Sequence, residues 1–93
     1  MNPYATEYYE DISGRLRAVL FRTAEILQPD TVEFLTEMLD ANELGVALEM
    51  MVEALEDAKL PITPEIASTL EALARKMEMN YDVQGALAGL VSE

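Results

Sequence analysis

Inward-facing positions recur at steps of three and four along the first part of the chain: Ala5, Tyr8, Ile12, Leu16, Val19, Thr23 and Ile26. That spacing places them on one face of a helix predicted from about Pro3 to Leu27. Asn2 suits its cap and Pro3 its first position. Gly14 interrupts the pattern and is a candidate bend or break. Gln28-Pro29 should end the helix, because the residue before a proline disfavours helical backbone. A second helix is expected from Asp30, with Asp30 and Glu33 as a capping box. Val32, Leu35 and Leu39 would face inward, with Phe34 and Met38 extending that face. The strongest periodic signal is Leu44, Leu48, Met51, Val52 and Leu55. It predicts a third helix from Asp40–Asn42 to about Lys59. Asp40 and Glu43 would form its capping box, and Leu39 and Leu44 its hydrophobic staple. A single helix running through Ala41-Asn42 is the alternative.

Leu60-Pro61-Ile62 reads as a connector. Thr63-Pro64-Glu65 is a strong helix start, offering a cap, a first-position proline and an acid in the first turn. Ile66, Leu70, Leu73 and Met77 form the inward face that follows. A short last helix is expected from Asp82 to Val91, with Val83, Leu87 and Leu90 inward, weakened by Gly85 and Gly89. The pattern holds no strand signal and no repeat. The expected fold is all-α: a single domain, a compact bundle of four to five helices with short loops.

The chain's 93 residues fit one domain, and 51% apolar residues can build a real core. Composition changes the picture mainly through charge. The formal net charge is -12, which argues against nucleic acid and anionic membranes as partners and leaves basic protein surfaces. With neither Cys nor His, disulfides, thiolate sites and the commonest metal ligand and general base are excluded. Met1-Asn2-Pro3-Tyr4 lacks the basic start and apolar run of a signal peptide, and no apolar stretch nears the roughly 20 residues that span a bilayer. A soluble, cytoplasmic protein is expected.

The acids are not evenly spread. Between Thr23 and Ala58 stand ten carboxylates and no Lys or Arg. Asp30, Glu33, Glu37 and Asp40 would line one side of the second helix; Glu49, Glu53, Glu56 and Asp57 would line one side of the third. Like charges at i,i+4 destabilise a helix by a few tenths of a kcal/mol per pair. Two adjacent stripes therefore ask for a reason. The plain one is a solvated face that maintains solubility; the sharper one is a basic partner. Ordinary surfaces mix both signs, and this stretch does not.

Val46 and Met50 fall beside Glu43 and Asp57, off the main apolar stripe. An apolar spot rimmed by charge is the anatomy of a binding centre, although packing against another helix would explain it equally. Tyr8 lies on the inward face of the first helix, Tyr9 near its edge and Tyr4 outside it. Phe21 lies well off that face, so either the last helix or a partner should cover it. Catalytic arrangements fail. Helical di-metal sites need Glu-x-x-His pairs. The run Asp40-Ala41-Asn42-Glu43-Leu44-Gly45 starts like a calcium loop but has Leu44 at its fifth position and Met51 at its twelfth, where a bidentate Glu is required. No phosphate loop or nucleophile–base set is present, so no enzyme and no cofactor is expected.

The run from Asp40 to Glu49 (Asp-Ala-Asn-Glu-Leu-Gly-Val-Ala-Leu-Glu), followed by Leu55 and Leu60-Pro61-Ile62, resembles the central signature of MafI-type immunity proteins. These are small, acidic, helical antitoxins encoded beside bacterial polymorphic and contact-dependent inhibition toxins. In that family a polar turn ending in Glu-aromatic/Leu-Gly opens a helix that continues Ala-Leu-Glu, and a Pro-Ile or Pro-Leu connector follows. The resemblance covers about Leu39 to Met77, and its short motif is mostly structural. It implies a protein that binds one cognate toxin domain, often a nuclease, and blocks its active site or substrate path, with no catalytic residue of its own. It carries over Glu43 and Glu49 as contacts and Gly45 as a structural position, where glycine permits close packing or close partner approach. Charge and resemblance together give an expected partner surface of Glu33, Glu37, Asp40, Glu43, Val46, Glu49, Met50, Glu53 and Asp57. The expected partner is a basic toxin domain, bound by a monomer. An acidic nucleic-acid mimic and a helical adaptor are the alternatives.

Overall fold

The computed structural model describes residues 3–92, with side chains from residue 6 onward. The expected cap Asn2 and the side chains of Tyr4 and Ala5 lie outside the described residues. The described residues form an all-α bundle of five helices: α1 Pro3–Thr23, α2 Pro29–Asp40, α3 Leu44–Ala58, α4 Pro64–Lys76 and α5 Val83–Leu87. A 3-10 turn, Ala24–Ile26, follows α1. The Cα radius of gyration is 12.8 Å, near the roughly 12 Å of a compact chain this long.

α1 runs unbroken through Gly14, which is exposed and has open space where a Cβ would stand. Ile12, Leu16 and Val19 are buried as their spacing predicts. Thr23 shares that buried face because its hydroxyl donates to the Val19 carbonyl at 2.9 Å, so no polar group is stranded. Its last inward position, Ile26, falls in the 3-10 turn.

α2 begins one residue earlier than predicted. Pro29 takes the first helical position, which moves the cap to Gln28 and leaves Asp30 inside the helix, so the Asp30–Glu33 capping box does not form. Leu35 and Leu39 are buried, but Phe34 is turned outward and 42% exposed.

The hairpin between α2 and α3 settles the choice between one helix and two. The Glu43 amide donates to the Met38 carbonyl at 2.9 Å and the Asn42 amide to the Leu39 carbonyl at 3.0 Å. Asn42 adopts φ 61°. Together these form a Schellman motif, which ends α2 in a left-handed residue. Asp40 therefore belongs to the last turn of α2 and Glu43 becomes the cap of α3, with no side-chain capping bond. The expected Asp40–Glu43 box and Leu39–Leu44 staple are replaced by this backbone closure, although both leucines are buried.

Leu44, Leu48, Met51, Val52 and Leu55 are all buried, making α3 the central element. Lys59 ends it at φ 55°, and Pro61 prevents continuation. Thr63 caps α4, its side chain accepting from the Ile66 amide at 3.2 Å. Ile66, Leu70 and Leu73 are buried and Met77 half-buried. A second Schellman motif closes α4: Glu78, at φ 55°, donates to Arg75 and Met79 donates to Ala74.

α5 is shorter than predicted. The Asp82 side chain caps it by accepting from the Gly85 amide at 2.9 Å, but the helix ends at Leu87. The remaining tail crosses to the connector before α4. Ile62 donates to the Leu90 carbonyl at 3.0 Å and Ser92 donates to the Ile62 carbonyl at 2.9 Å, an isolated parallel bridge between Ile62 and Val91. Two extended segments thus clasp where only helix and loop were expected. No described helix is long and apolar enough to cross a membrane.

Candidate functional site

α2 and α3 form an antiparallel hairpin, and its outer surface carries the acids. Glu33, Glu37, Asp40, Glu43, Glu49, Glu53 and Asp57 are all exposed. The two stripes do not merge into one sheet of charge. At about 100° per residue, Asp40 lies on the α1 side of α2, and Arg17 of α1 reaches it at 2.9 Å. Glu49, Glu53 and Glu56 face the segment before α5. Burial holds the Tyr81 hydroxyl above its ordinary pKa, and the fields of Glu56, Glu53 and Glu49 raise it further.

The ion pairs draw on cations from one part of the molecule. Among the described residues, five pairs use Arg15, Arg17, Arg22, Arg75 and Lys76, every one on α1 or α4. Of the acids in the expected surface, Asp40 alone takes part in one of them. Among the described residues, Glu33, Glu37, Glu43, Glu49, Glu53 and Asp57 have no intramolecular cation. Glu43 has local support of a different kind, since an acid at the α3 N-terminus complements the helix dipole.

Between α2 and α3 lies a groove of about 700 Å³. Phe34 and Leu35 form one wall, and Met50 and Ala54 the other. Ile26 and Leu60 lie at the end nearest the 3-10 turn and the Lys59 cap. Asp30, Glu53 and Asp57 stand on its rim. The groove thus brings together Met50, Glu53 and Asp57 of the expected surface. It leaves Val46 outside, 43% exposed on the same helix.

The hydrophobic pattern places Phe34 on the core side, yet it is the groove's one aromatic side chain. Its helical angle held the signal: Phe34 lies only about 40° from Asp30 and about 100° from Leu35. Ile26 and Leu60 carry no such signal, because their place depends on how separate elements pack. Phe21 is 84% exposed, so α5 does not cover it. Gly45 is half-buried, and a Cβ there would meet Met79 Sδ at 4.0 Å, an ordinary contact. Glycine is therefore not required at 45 for close packing.

The described residues contain no group of three or more acids placed to hold a metal ion. The geometry instead offers charge attraction at the rim and apolar burial inside. No family model, curated protein or solved structure matches this chain.

Proposed function

We propose that this protein is an immunity-type inhibitor, of the MafI-like kind its central segment resembles. It neutralises a basic toxin domain, of which a nuclease is the best fit, by laying the outer surface of α2 and α3 over the toxin's substrate-binding face. The observation that carries this reading is the sign segregation. Five of the chain's six Lys and Arg residues, all on α1 or α4, stand in ion pairs, while among the described residues the acids of α2 and α3 other than Asp40 have no cation and lie near an apolar groove. A nuclease presents cations along its substrate path because it must bind phosphates. An acidic surface competes for those cations, and long-range attraction speeds encounter. Glu33, Glu37, Glu43, Glu49, Glu53 and Asp57 supply that field, and Val46 and Met50 supply apolar contact. The protein acts in the cytoplasm as a monomer, without cofactor or chemistry of its own.

The test is co-expression with the toxin-like product encoded beside this chain in a susceptible cell. Rescue of growth together with co-purification is expected. An active toxin that this chain neither binds nor blocks would sink the proposal. Binding to several unrelated DNA-binding proteins would identify a nucleic-acid mimic instead. Association that ignores salt would identify an adaptor whose acids only maintain solubility.

A further inference from the structure

The acids explain attraction but not selection, because a charged surface alone binds many cationic proteins. The groove between α2 and α3 supplies what the field lacks. Its walls are Phe34, 42% exposed, and the half-buried Met50 and Ala54, so the groove offers apolar surface on a chain whose large apolar residues are mostly buried. Along α3 it extends from Met50 to Ala58, about 12 Å by helical rise, which is two turns of a further helix. Ala54 sits mid-wall, so a partner backbone can approach closely there. Methionine at Met50 adapts its shape to what it meets. Among the described residues no sheet edge adjoins the groove, so an added strand would leave its own backbone groups unpaired; a helix satisfies them internally.

We infer that this groove is the docking site for a cationic amphipathic helix of the partner. Its apolar side chains, spaced i and i+4, enter between Phe34 and Met50 and over Ala54. Its Lys or Arg residues, flanking that stripe, meet Asp30 on one rim and Glu53 and Asp57 on the other. Charge complementarity fixes the occupant: a neutral or acidic amphipathic helix would set its polar flanks against three carboxylates. The inference rests on the inhibitor reading for the identity of the partner, but the groove can be tested without it.

The probe is a 14-residue helical peptide with two leucines at i and i+4 flanked by lysines. One control replaces the leucines by alanine, and another replaces the lysines by glutamate. The full-length protein is titrated with each and followed by amide chemical shifts. The leucine–lysine peptide should move the amides of Thr31, Phe34, Ala54 and Ala58 and bind more tightly than either control. Ala54→Trp, which fills the groove, should weaken that peptide by more than about tenfold, the loss typical of a buried anchor. It should leave the alanine control unchanged. If Ala54→Trp does not fold, Phe34→Ser at a half-exposed position gives the same readout. Equal binding of the leucine and alanine peptides, or shifts confined to Glu33, Glu37 and Glu49, overturns the groove assignment.

The two proposals fail separately. Loss of toxin binding in Glu33→Lys/Glu37→Lys, with Ala54→Trp still binding fully, keeps the inhibitor and discards the groove. Selective peptide binding with no toxin bound keeps the groove and discards the inhibitor.

Discussion

Gly14 lies exposed in the middle of α1, with open space where a side chain would stand and no break in the helix there. Its flexibility therefore has no structural use in the folded chain, and its cost falls on the unfolded side of the balance. Gly14→Ala should stabilise the protein by about 0.5–1 kcal/mol, a rise in Tm of roughly 2–8 °C by thermal melt. A fall in Tm would mean that α1 is strained at this point. Asp11 acts in the opposite sense. Its carboxylate accepts from Lys76 at 2.6 Å and Arg15 at 3.1 Å, joining α1 to the end of α4. Nearby, the Tyr8 hydroxyl donates to the Lys76 carbonyl at 2.8 Å. The Lys76 hydrogen bond, opposed by partial desolvation and helped by Arg15, holds the Asp11 carboxyl below the usual carboxylate range. A depressed folded pKa adds stability above the unfolded value of about 3.9 and loses it as pH falls through the folded value. Asp11→Asn should therefore unfold more easily than the parent in urea at pH 7, and the gap should close as pH falls through the folded value. A gap that persists in acid would assign the effect to packing rather than charge.

At the scale of elements, the α2–α3 turn decides how the acidic surface is presented, and one residue sets it. Asn42 holds φ 61°, a conformation that costs most side chains about 1 kcal/mol. Asn42→Ala should lower stability by about that amount and Asn42→Gly should not, as read by urea denaturation. Equal effects would place the helix break elsewhere. The helices themselves were legible in the sequence wherever burial is one-sided: Leu44, Leu48, Met51, Val52 and Leu55 could have no other arrangement. Caps were legible where the chain offers one strong local choice, as at Thr63, and misread where two mechanisms compete. At 40–43 a side-chain box and a backbone Schellman closure both fit the residue types, and only the hydrogen bonds decide between them. The acids of the candidate surface could be located by type and spacing. The groove could not, because Ile26, Phe34, Met50 and Leu60 meet only once four separate segments are packed. The Ile62–Val91 clasp was hidden for the same reason, being a pairing across 29 residues with no strand pattern at either end.

Across the whole molecule the paired cations concentrate on α1 and α4 while most acids of α2 and α3 have none, and this arrangement makes function and stability pull apart. Arg15, Arg22, Arg75 and Lys76 each pair with a carboxylate of α1 or α4 and Arg17 with Asp40 at the end of α2, while Glu33–Glu37, Glu49–Glu53 and Glu53–Asp57 are like-charged neighbours one turn apart. A surface shaped for stability alone would alternate signs on those helices. If the acids serve a partner, neutralising them should relieve the chain and harm the association. Glu33→Gln with Glu49→Gln removes one member of two such pairs without touching the groove or any ion pair. At low ionic strength this variant should melt about 2–6 °C higher than the parent, from a few tenths of a kcal/mol per pair relieved. The gain should shrink as salt rises, because the repulsion it removes is already screened. Against the toxin, its association rate at low salt should fall while its dissociation rate changes little, since diffuse charge governs encounter and buried contacts govern release. Opposite signs for the two measurements on one variant are the signature of an acidic surface maintained for binding. A variant less stable than the parent would instead make these glutamates part of the fold, and the uncompensated charge would need a structural explanation.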